Sequence, residues 1–369
     1  MKILYVIATL SGTIIGVGLF ALPYVTLKVG FWVILGYFLV LGALVILVHL
    51  FFGELALKTP DFKRLPGFAA IYLGKRGKIV AYISTILGIF GALLAYLIVG
   101  GEFLSELFSP IFGGDALFCT LFYFVIAASL IFYGIKAIAK VEFWGLVLFF
   151  IILFTIFFRG QPLIETQNLF PFPDRSAWFL PYGVILFSLW GAALIPETEE
   201  MLGNQKKMLL KIIPVAILIP VLTYLFFIYL VLGITGSQTT ETALPGLRIV
   251  LGDGIVSLAL LFGLVTTFTS FITLGLTLKK VFWYDLKIDK TISWLITCFV
   301  PLFLFLIGVK QFVPVIAFVG AVMLGIDGIL ILLMYRKINP KKLLVYPLFL
   351  ILLGGIIYEV MYFFKIICF

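Results

Sequence analysis

The feature that most constrains this chain is a series of eleven apolar runs, each about 20 residues or longer, separated by short polar segments. A run of that length can cross the roughly 30 Å hydrocarbon core of a bilayer as an α-helix. The composition agrees, because 63% of the residues are hydrophobic and only 12% are charged, against about 45–50% and about 25% in soluble proteins. The sequence therefore predicts an all-α membrane protein with eleven transmembrane helices. The predicted spans are 3–27, 30–57, 77–107, 115–135, 139–160, 176–202, 208–235, 253–284, 291–309, 311–336 and 342–365.

The basic residues are distributed unevenly between the two sides that these spans define. If the N-terminus is cytoplasmic, 20 of the 26 Lys and Arg residues fall on the cytoplasmic side. Short cytoplasmic loops of membrane proteins are enriched in Lys and Arg. The bias therefore predicts a plasma (inner) membrane protein with a cytoplasmic N-terminus and an external C-terminus. It also accounts for the net charge of +9 without a nucleic-acid partner.

Glycine and proline mark two of the spans as unusual. Span 1 carries Gly18 and Pro23, and span 6 carries Gly191 and Pro196, so both contain Gly-x-x-x-x-Pro near the middle. The two spans lie five apart in the series and therefore cross the membrane in opposite directions. Interruptions at matching places in two inverted halves are typical of a transporter binding site. The alternative is that these residues serve only close packing and kinks.

A helix that is broken at the middle of a membrane exposes backbone groups in a place that lacks water. The free N–H groups that begin the second half of span 1 would lie at a positive dipole end, which suits a carboxylate. Carbonyl groups that end the first half, or that border the break in span 6, suit an ammonium group or a cation. An α-amino acid carries both charges close together, so paired breaks predict an amino acid substrate.

Span 8 places four hydroxyl side chains within about one and a half helical turns. They are Thr266, Thr267, Thr269 and Ser270. Hydroxyl and carbonyl oxygens are suitable ligands for a hard cation. The alternative is that these hydroxyls donate to carbonyls of their own helix or pack against a neighbouring helix. The sequence leaves both interpretations open.

Several short motifs together resemble one known family. They begin with Gly12 to Gly18 and Leu22-Pro23 in span 1, followed by Val29-Gly30-Phe31. The next are Ile195-Pro196, Leu202-Gly203, Lys206-Lys207 and Ile219-Pro220 with Tyr224, and the last are Thr269-Ser270-Phe271, Leu274-Gly275-Leu276 and Tyr284-Asp285. The pattern covers the whole chain. It resembles the bacterial aromatic amino acid permeases (tryptophan/tyrosine permeases) of the amino acid/auxin permease family, within the amino acid–polyamine–organocation superfamily.

The resemblance implies a leucine-transporter-type fold in a single transmembrane transporter domain, 1–369. In that fold 1–160 would form a first five-helix repeat, 176–336 an inverted second repeat, and 342–365 a peripheral eleventh helix. The resemblance also implies which residues contact the backbone of the substrate. They are Gly12, Thr13, Gly16, Val17, Gly18, Trp190 and Gly191.

The resemblance leaves the coupling ion open between sodium and a proton. The cation pattern of sodium-coupled relatives would fall on the carbonyls of Gly12, Ile15 and Thr266 and on the hydroxyls of Thr269 and Ser270. Some proton-coupled relatives place a lysine in span 5 instead, whereas this chain has only Lys140, at the cytoplasmic mouth of that span. Many bacterial members are nevertheless proton-coupled.

Two ionisable residues are predicted to lie within the membrane. Asp327 precedes Arg336 by nine residues in span 10, which is about 13 Å of helix. An acid at that depth is costly and is usually functional, as a proton carrier for example. The alternative is a structural hydrogen bond to a neighbouring helix. The single histidine, His49, is interpreted as a packed neutral imidazole rather than a proton relay.

The side-chain subsite is predicted from Phe187, Trp190 and Tyr96, with no charged residue assigned to it. We therefore expect a secondary active transporter, an ion-coupled symporter of aromatic or large neutral amino acids. The alternative is a transporter of another small solute or ion on the same fold. An enzyme is not expected, because the chain has one histidine, no P-loop and no His/Cys metal spacing. No catalytic residue, cofactor or bound metal is predicted, and no channel filter motif is present.

Overall fold

The computed structural model describes residues 2–60, 63–113, 115–134, 138–340, 343–364 and 366, with backbone alone for 2, 111–112, 138–146, 253 and 255. These described residues are almost entirely helical and contain no β-strand. The first six helices are α1 (Lys2–Ile14), α2 (Gly18–Val29), α3 (Phe31–Lys58), α4 (Leu65–Phe112), α5 (Ala116–Tyr133) and α6 (Ile138–Gly160). The remaining helices are α7 (Leu180–Leu189), α8 (Ile195–Leu202), α9 (Leu209–Thr235), α10 (Leu244–Leu251), α11 (Asp253–Lys280), α12 (Lys290–Leu306), α13 (Phe312–Phe318), α14 (Gly325–Ile338) and α15 (Val345–Phe363).

The described helices include seven stretches that are long and apolar enough to cross a membrane, judged by length and composition. The bent pair α1 and α2 counts as an eighth if it forms one span. One of the seven, Arg175–Gln238, is 64 residues long and contains α7, α8 and α9. Two further apolar helices, Val147–Leu163 and Lys290–Leu306, are shorter. The predicted number of eleven spans stays a prediction.

The longest helix begins earlier than the sequence predicts. The expected span is 77–107, whereas α4 runs over Leu65–Phe112 with a proline in its first turn. Proline suits that position because its missing N–H would have no helical partner there. Gly74, with φ of 72°, separates this initial segment from the long apolar part. Glycine adopts such a backbone conformation without steric cost.

The first interruption lies between α1 and α2, whose axes differ by 54°. The sequence marks this span as interrupted by its Gly18 and Pro23 pair, and both of these residues lie inside α2. The break is instead centred on Gly16, whose N–H donates to Ile14 O at 2.8 Å. A hydrogen bond between residues two apart closes a γ-turn, which cannot continue an α-helix.

The second interruption separates α7 from α8, as the Gly191 and Pro196 pair predicts. Trp190 is extended (φ −79°, ψ 117°) directly after α7 ends. A 3₁₀ turn over Ala192–Leu194 follows, and Pro196 lies in the first turn of α8. Proline and glycine therefore mark this break correctly, because neither supports continuous α-helix at these positions.

Two groups of helices position the first break. On one side α9 packs against α1, α2 and α3, and α3 packs against α7 and α8. On the other side α11 packs against α4, α5 and α6. The break between α1 and α2 faces this second group across a cavity.

Candidate functional site

The cavity opens between the first break and α11. Its empty space amounts to about 680 Å³, which includes the open space at its mouth. Its walls come from the α1–α2 break and from α4, α6 and α11. The lining residues are Gly12, Thr13, Ile15, Gly16, Val17, Leu19, Phe20, Tyr96, Phe149, Phe262, Val265, Thr266, Thr267, Thr269 and Ser270.

The first break contributes backbone groups that lack helical partners. Within the described residues, no backbone N–H donates to the carbonyl oxygens of Gly12, Thr13 or Ile15. The N–H group of Val17 likewise donates no hydrogen bond to another backbone group in the described part of the chain. Helix ends leave such groups free, with partial positive charge at the N-terminus and partial negative charge at the C-terminus. This wall can therefore bind both an anion and a cation.

The opposite wall carries the hydroxyls of α11. Thr266 Oγ1 donates to Phe262 O at 3.1 Å, Thr267 Oγ1 to Leu264 O at 2.9 Å, and Thr269 Oγ1 to Thr266 O at 3.1 Å. These are the back-bonds to their own helix that the sequence left as one interpretation. A hydroxyl that donates its hydrogen keeps its oxygen lone pairs for another ligand. The same residues line the cavity, so the two interpretations are compatible.

Tyr96 of α4 brings a phenolic hydroxyl to the break. A Cβ built on Gly16 would lie 2.9 Å from the Tyr96 hydroxyl oxygen. A side chain at that position would therefore displace the hydroxyl from the cavity wall. Gly16 is the residue that lets the backbone and this hydroxyl approach each other.

Three phenylalanines form the apolar end of the cavity. Phe149 of α6 and Phe262 of α11 stack with ring centroids 5.4 Å apart and planes at 27°. Phe20 of α2 is held edge-on by Phe103 at 5.0 Å and by Phe227 at 6.1 Å. Aromatic rings favour such stacked and edge-to-face contacts with further rings. This end of the cavity suits an apolar or aromatic group.

Sequence reasoning missed these three rings. Phe262 could have been found, because it precedes Thr266 by one helical turn and therefore shares its face of α11. Phe149 carries no such signal, since α6 is apolar along its whole length and any of its aromatic residues could face the cavity. Lys140 lies near the start of the same helix, and its side chain is outside the part of the chain that the structure describes.

The second break does not open into this cavity, and Trp190 and Gly191 do not line it. The N–H of Gly191 donates to His49 Nε2 at 3.0 Å. The other ring nitrogen, Nδ1, lies 2.7 Å from Val45 O. Because Nε2 accepts a hydrogen bond, the proton of a neutral imidazole is on Nδ1. Trp190 packs edge-on against the same ring at 5.2 Å.

Two other predicted substrate residues also lie away from the cavity. A Cβ on Gly18 would lie 3.1 Å from the Cα of Ser188, so Gly18 is a packing position between α2 and α7. A Cβ on Gly320 would lie 2.9 Å from the backbone nitrogen of Phe187, so Phe187 adjoins the π-helical turn Val319–Leu324. Neither contributes to the wall of the cavity.

Asp327 is buried between α14 and α4, outside the cavity. Ser84 Oγ of α4 donates to its carboxyl oxygen at 2.5 Å. This is the helix-to-helix hydrogen bond that the sequence gave as one of two interpretations. In the described part of the chain no three His, Cys, Asp or Glu side chains cluster in a way that could hold a metal ion.

Two polar contacts tie α10 and the segment before it to α4. Thr242 Oγ1 donates to Glu102 Oε1 at 2.8 Å. Arg248 lies 3.3 Å from Glu106 Oε2 and also donates to the Glu106 carbonyl. A Cβ on Gly263 would contact Phe103 and Leu244, which places α10 next to the aromatic end of the cavity.

Over residues 1–368 the sequence matches the tryptophan/tyrosine permease family. The chain belongs to this family. Relatives of the permease include tyrosine-specific transport system 1 of Haemophilus influenzae, 27% identical over 285 residues that make up 73% of this chain and 70% of that protein. Tyrosine-specific transport system 2 of the same organism is 27% identical over 226 residues, which are 58% of this chain and 54% of that protein.

The permease also resembles solved transporter structures. Against MhsT in complex with L-phenylalanine the TM-score is 0.70, with 15% identity and 98% of both chains covered. A second solved structure is that of Mhp1, a nucleobase-cation-symport-1 family transporter in a closed conformation with bromovinylhydantoin bound. Its TM-score against the permease is 0.67 at 13% identity, and the match covers 89% of this chain and 76% of that chain. At these identities the likeness concerns the fold alone. It confirms the predicted leucine-transporter-type fold.

The family and the fold together confirm the class of protein that the sequence predicts. The permease is a multi-span membrane transporter of amino acids and not an enzyme. Its ligand is a small molecule.

Proposed function

We propose that the permease carries aromatic amino acids, tyrosine and tryptophan foremost, together with sodium, and that both bind in the cavity at the first break. The observation that carries this proposal is the grouping within one cavity of free backbone groups, α11 hydroxyls and three aromatic rings. The two Haemophilus relatives are named as tyrosine-specific, and MhsT was solved with L-phenylalanine.

The backbone of the substrate would bind to the first break. Its carboxylate would accept hydrogen bonds from the Val17 N–H and the Tyr96 hydroxyl, at the positive end of α2. Its ammonium group would donate to the Thr13 carbonyl, which receives no backbone hydrogen bond within the described residues. Gly16 between these groups would let the substrate backbone approach the chain closely.

The side chain of the substrate would extend toward Phe20, Phe149 and Phe262. These residues replace Phe187 and Trp190 as the proposed aromatic subsite, because the latter two lie outside the cavity. Apolar walls discriminate between similar side chains by only about 10–200-fold. We therefore expect tyrosine, tryptophan and phenylalanine to compete with one another, and arginine and glutamate to be excluded.

Sodium would bind between the two walls of the cavity. On the wall formed by the first break, the carbonyls of Gly12 and Ile15 accept no backbone hydrogen bond within the described residues. The Thr266 carbonyl and the hydroxyls of Thr269 and Ser270 would complete the set, since these residues of α11 line the same cavity. These five oxygens form a chemically suitable set for a hard cation. The competing mechanism is a proton carried by Asp327, which would have to act through its contact with Ser84.

We further propose the orientation and symmetry that the sequence suggests. The N-terminus would be cytoplasmic and the C-terminus external, with eleven spans in the plasma membrane. Residues 1–160 and 176–336 would form the two inverted repeats, with 342–365 as the peripheral helix. The presence of one broken helix near the start of each half supports this division. A C-terminal tag that is accessible only from the cytoplasm would contradict it.

The test of coupling is uptake of L-tyrosine into proteoliposomes with sodium and pH gradients imposed separately. We expect the sodium gradient to drive uptake, and Thr269→Val combined with Ser270→Ala to abolish that dependence. Thr277→Val is the matched control, because its hydroxyl back-bonds to Thr273 O at 2.9 Å on the same helix but does not line the cavity. If a pH gradient alone drives uptake, and Asp327→Asn abolishes that uptake, the coupling ion is a proton and not sodium.

The aromatic subsite has its own test in the same preparation. Phe149→Ala should weaken L-tyrosine binding about tenfold, since an aromatic pair contributes roughly 0.5–1.5 kcal/mol beyond the area it buries. Phe150→Ala is the control, because Phe150 is next in the helix and does not line the cavity. Equal effects of the two substitutions would contradict the assignment of the ring to this end.

A further inference from the structure

Tyr224 of α9 lies where the two broken spans approach each other. Its side chain is completely buried. Its hydroxyl oxygen lies 2.7 Å from Ile14 O and 2.8 Å from Ser188 O. Ile14 is the last residue of α1, and Ser188 is the residue before the last in α7. One hydroxyl therefore contacts both breaks.

Both carbonyls belong to the final turn of a helix, and within the described residues the Ser188 carbonyl accepts no backbone N–H, whereas the Ile14 carbonyl accepts that of Gly16. The last four carbonyls of a helix have no donor from within the helix, and a buried acceptor without a donor is destabilising. The hydroxyl has a single hydrogen, which the two oxygens share. Two carbonyl oxygens that converge in this way could also attract a cation, but the tyrosine occupies the position.

The Ile14 carbonyl is part of the turn that shapes the cavity. It accepts the Gly16 N–H at 2.8 Å, and this γ-turn sets the direction of the Ile15 carbonyl and of the Val17 N–H. Tyr224 contacts that turn and is not one of the residues that line the cavity. Its hydroxyl can therefore control the geometry of the site without contacting a ligand.

The same end of α1 is attached to α9 a second time. Ser11 Oγ donates to Ala216 O at 3.0 Å. The start of α2 is fixed to α7 through the close packing of Gly18 on Ser188. The shared hydroxyl thus joins three elements, α1, α7 and α9, by hydrogen bonds at the point where the two breaks meet.

We propose that Tyr224 is a positioning residue: its hydroxyl, shared by the Ile14 and Ser188 carbonyls, couples the second break to the first and sets the affinity of the cavity for its ligands. This inference rests on the proposed function, in which the first break binds the substrate. It also implies that the second break contributes to transport through this bond rather than through direct contact with the substrate.

The test compares three proteins in which residue 224 or a matched tyrosine is changed. Tyr224→Phe removes the hydroxyl and keeps the ring, which packs near Phe38. Replacement of Tyr224 by p-aminophenylalanine restores a donor with two hydrogens, one for each carbonyl. Tyr123→Phe is the control, because Tyr123 is also buried but its hydroxyl makes no hydrogen bond to the carbonyls of either break.

Each protein is assayed for L-tyrosine binding, for unfolding temperature and for uptake. We expect Tyr224→Phe to weaken binding about tenfold, because the buried Ser188 carbonyl loses its donor and the turn at Ile14 loses its link to the second break. The p-aminophenylalanine protein should recover binding, and Tyr123→Phe should bind as the wild type does. Both replacements at position 224 keep the aromatic ring and therefore its packing. If only the p-aminophenylalanine protein recovers affinity, the hydrogen-bond donor and not the packing of the ring sets the affinity.

Three results would overturn the inference. The first is unchanged L-tyrosine binding and uptake in Tyr224→Phe. The second is a loss of binding in Tyr123→Phe as large as that in Tyr224→Phe. The third is a p-aminophenylalanine protein that does not fold, or that folds and does not recover binding. A wild-type protein that does not bind L-tyrosine would instead show that the proposed function is wrong, and the inference would fall with it.

Discussion

The two helix breaks carry the same Gly-x-x-x-x-Pro pattern and differ in what fills them. At the first break the carbonyls of Gly12 and Ile15 face a cavity and receive no backbone hydrogen bond within the described residues. At the second break the Gly191 N–H is bound by His49 and the Ser188 carbonyl by Tyr224. The first break is therefore available to ligands, whereas the second is satisfied by the protein itself.

This difference shows that a broken helix is a ligand site only where its neighbours leave it open. Backbone groups at membrane depth must find a partner, because an unpaired group there costs several kcal/mol, roughly. Buried side chains from α3 and α9 supply that partner at the second break. At the first break the facing helices are α4 and α11, which contribute a cavity wall instead.

The largest effect is expected from Gly16→Leu, which fills the open break. The new side chain would collide with the Tyr96 hydroxyl and occupy the cavity. Overpacking costs roughly 1–3 kcal/mol and every 1.4 kcal/mol is a factor of ten, so substrate binding should fall by up to about 100-fold. The measurement is binding and uptake of L-tyrosine in folded protein. Gly36→Leu is the control, since a Cβ there meets nothing within 4 Å. Normal uptake by Gly16→Leu would remove the first break from the site.

A smaller effect, on stability rather than on binding, is expected from Gly18→Ala. Its Cβ would press on the Cβ and Cα of Ser188 at 3.0 and 3.1 Å, so α7 would have to move. We expect a loss of roughly 1–3 kcal/mol in the free energy of unfolding, with substrate affinity less affected than in Gly16→Leu. Thermal unfolding in detergent measures this loss of stability. Gly354→Ala is the control, because a Cβ at that position meets nothing within 4 Å. If Gly18→Ala leaves stability unchanged but abolishes binding, Gly18 contacts the substrate, as the sequence predicts.

His49→Leu tests whether the second break depends on its internal partner. The substitution leaves the Gly191 N–H without an acceptor, which should lower the free energy of unfolding by roughly 1–3 kcal/mol. His49→Gln retains a possible acceptor and should be less destabilised. Both are compared by thermal unfolding with and without L-tyrosine. Equal stability of the leucine, glutamine and wild-type proteins would show that His49 does not support the break.

The smallest effect is expected from Trp190→Phe. Trp190 packs on His49 and near Gly328, and it does not line the cavity. The substitution should therefore leave L-tyrosine affinity unchanged and lower stability only slightly. A ligand titration decides the matter, because a decrease similar to that of Gly16→Leu would mean that the second break contacts the substrate after all.

The sequence predicted the residues of the first break more fully than it predicted the other walls of the cavity. Gly12, Thr13, Ile15, Gly16 and Val17 line the cavity, as do Tyr96, Thr266, Thr269 and Ser270. These residues are identifiable because they occur in motifs or carry polar groups within apolar spans. Phe149 was not identifiable, because one phenylalanine among many in an apolar helix gives no signal of the direction it faces.

The sequence by itself determined the helical membrane class, the family and the existence of two breaks, because long apolar runs, glycine and proline act through local physical chemistry. The tertiary structure alone decided which break stays open. His49 lies 142 positions from Gly191, and Tyr224 lies 210 positions from Ile14. No local pattern brings such pairs together, since they meet only when α3 and α9 pack against the broken spans. That packing satisfies backbone groups at the second break, whereas residues of the first break line a cavity.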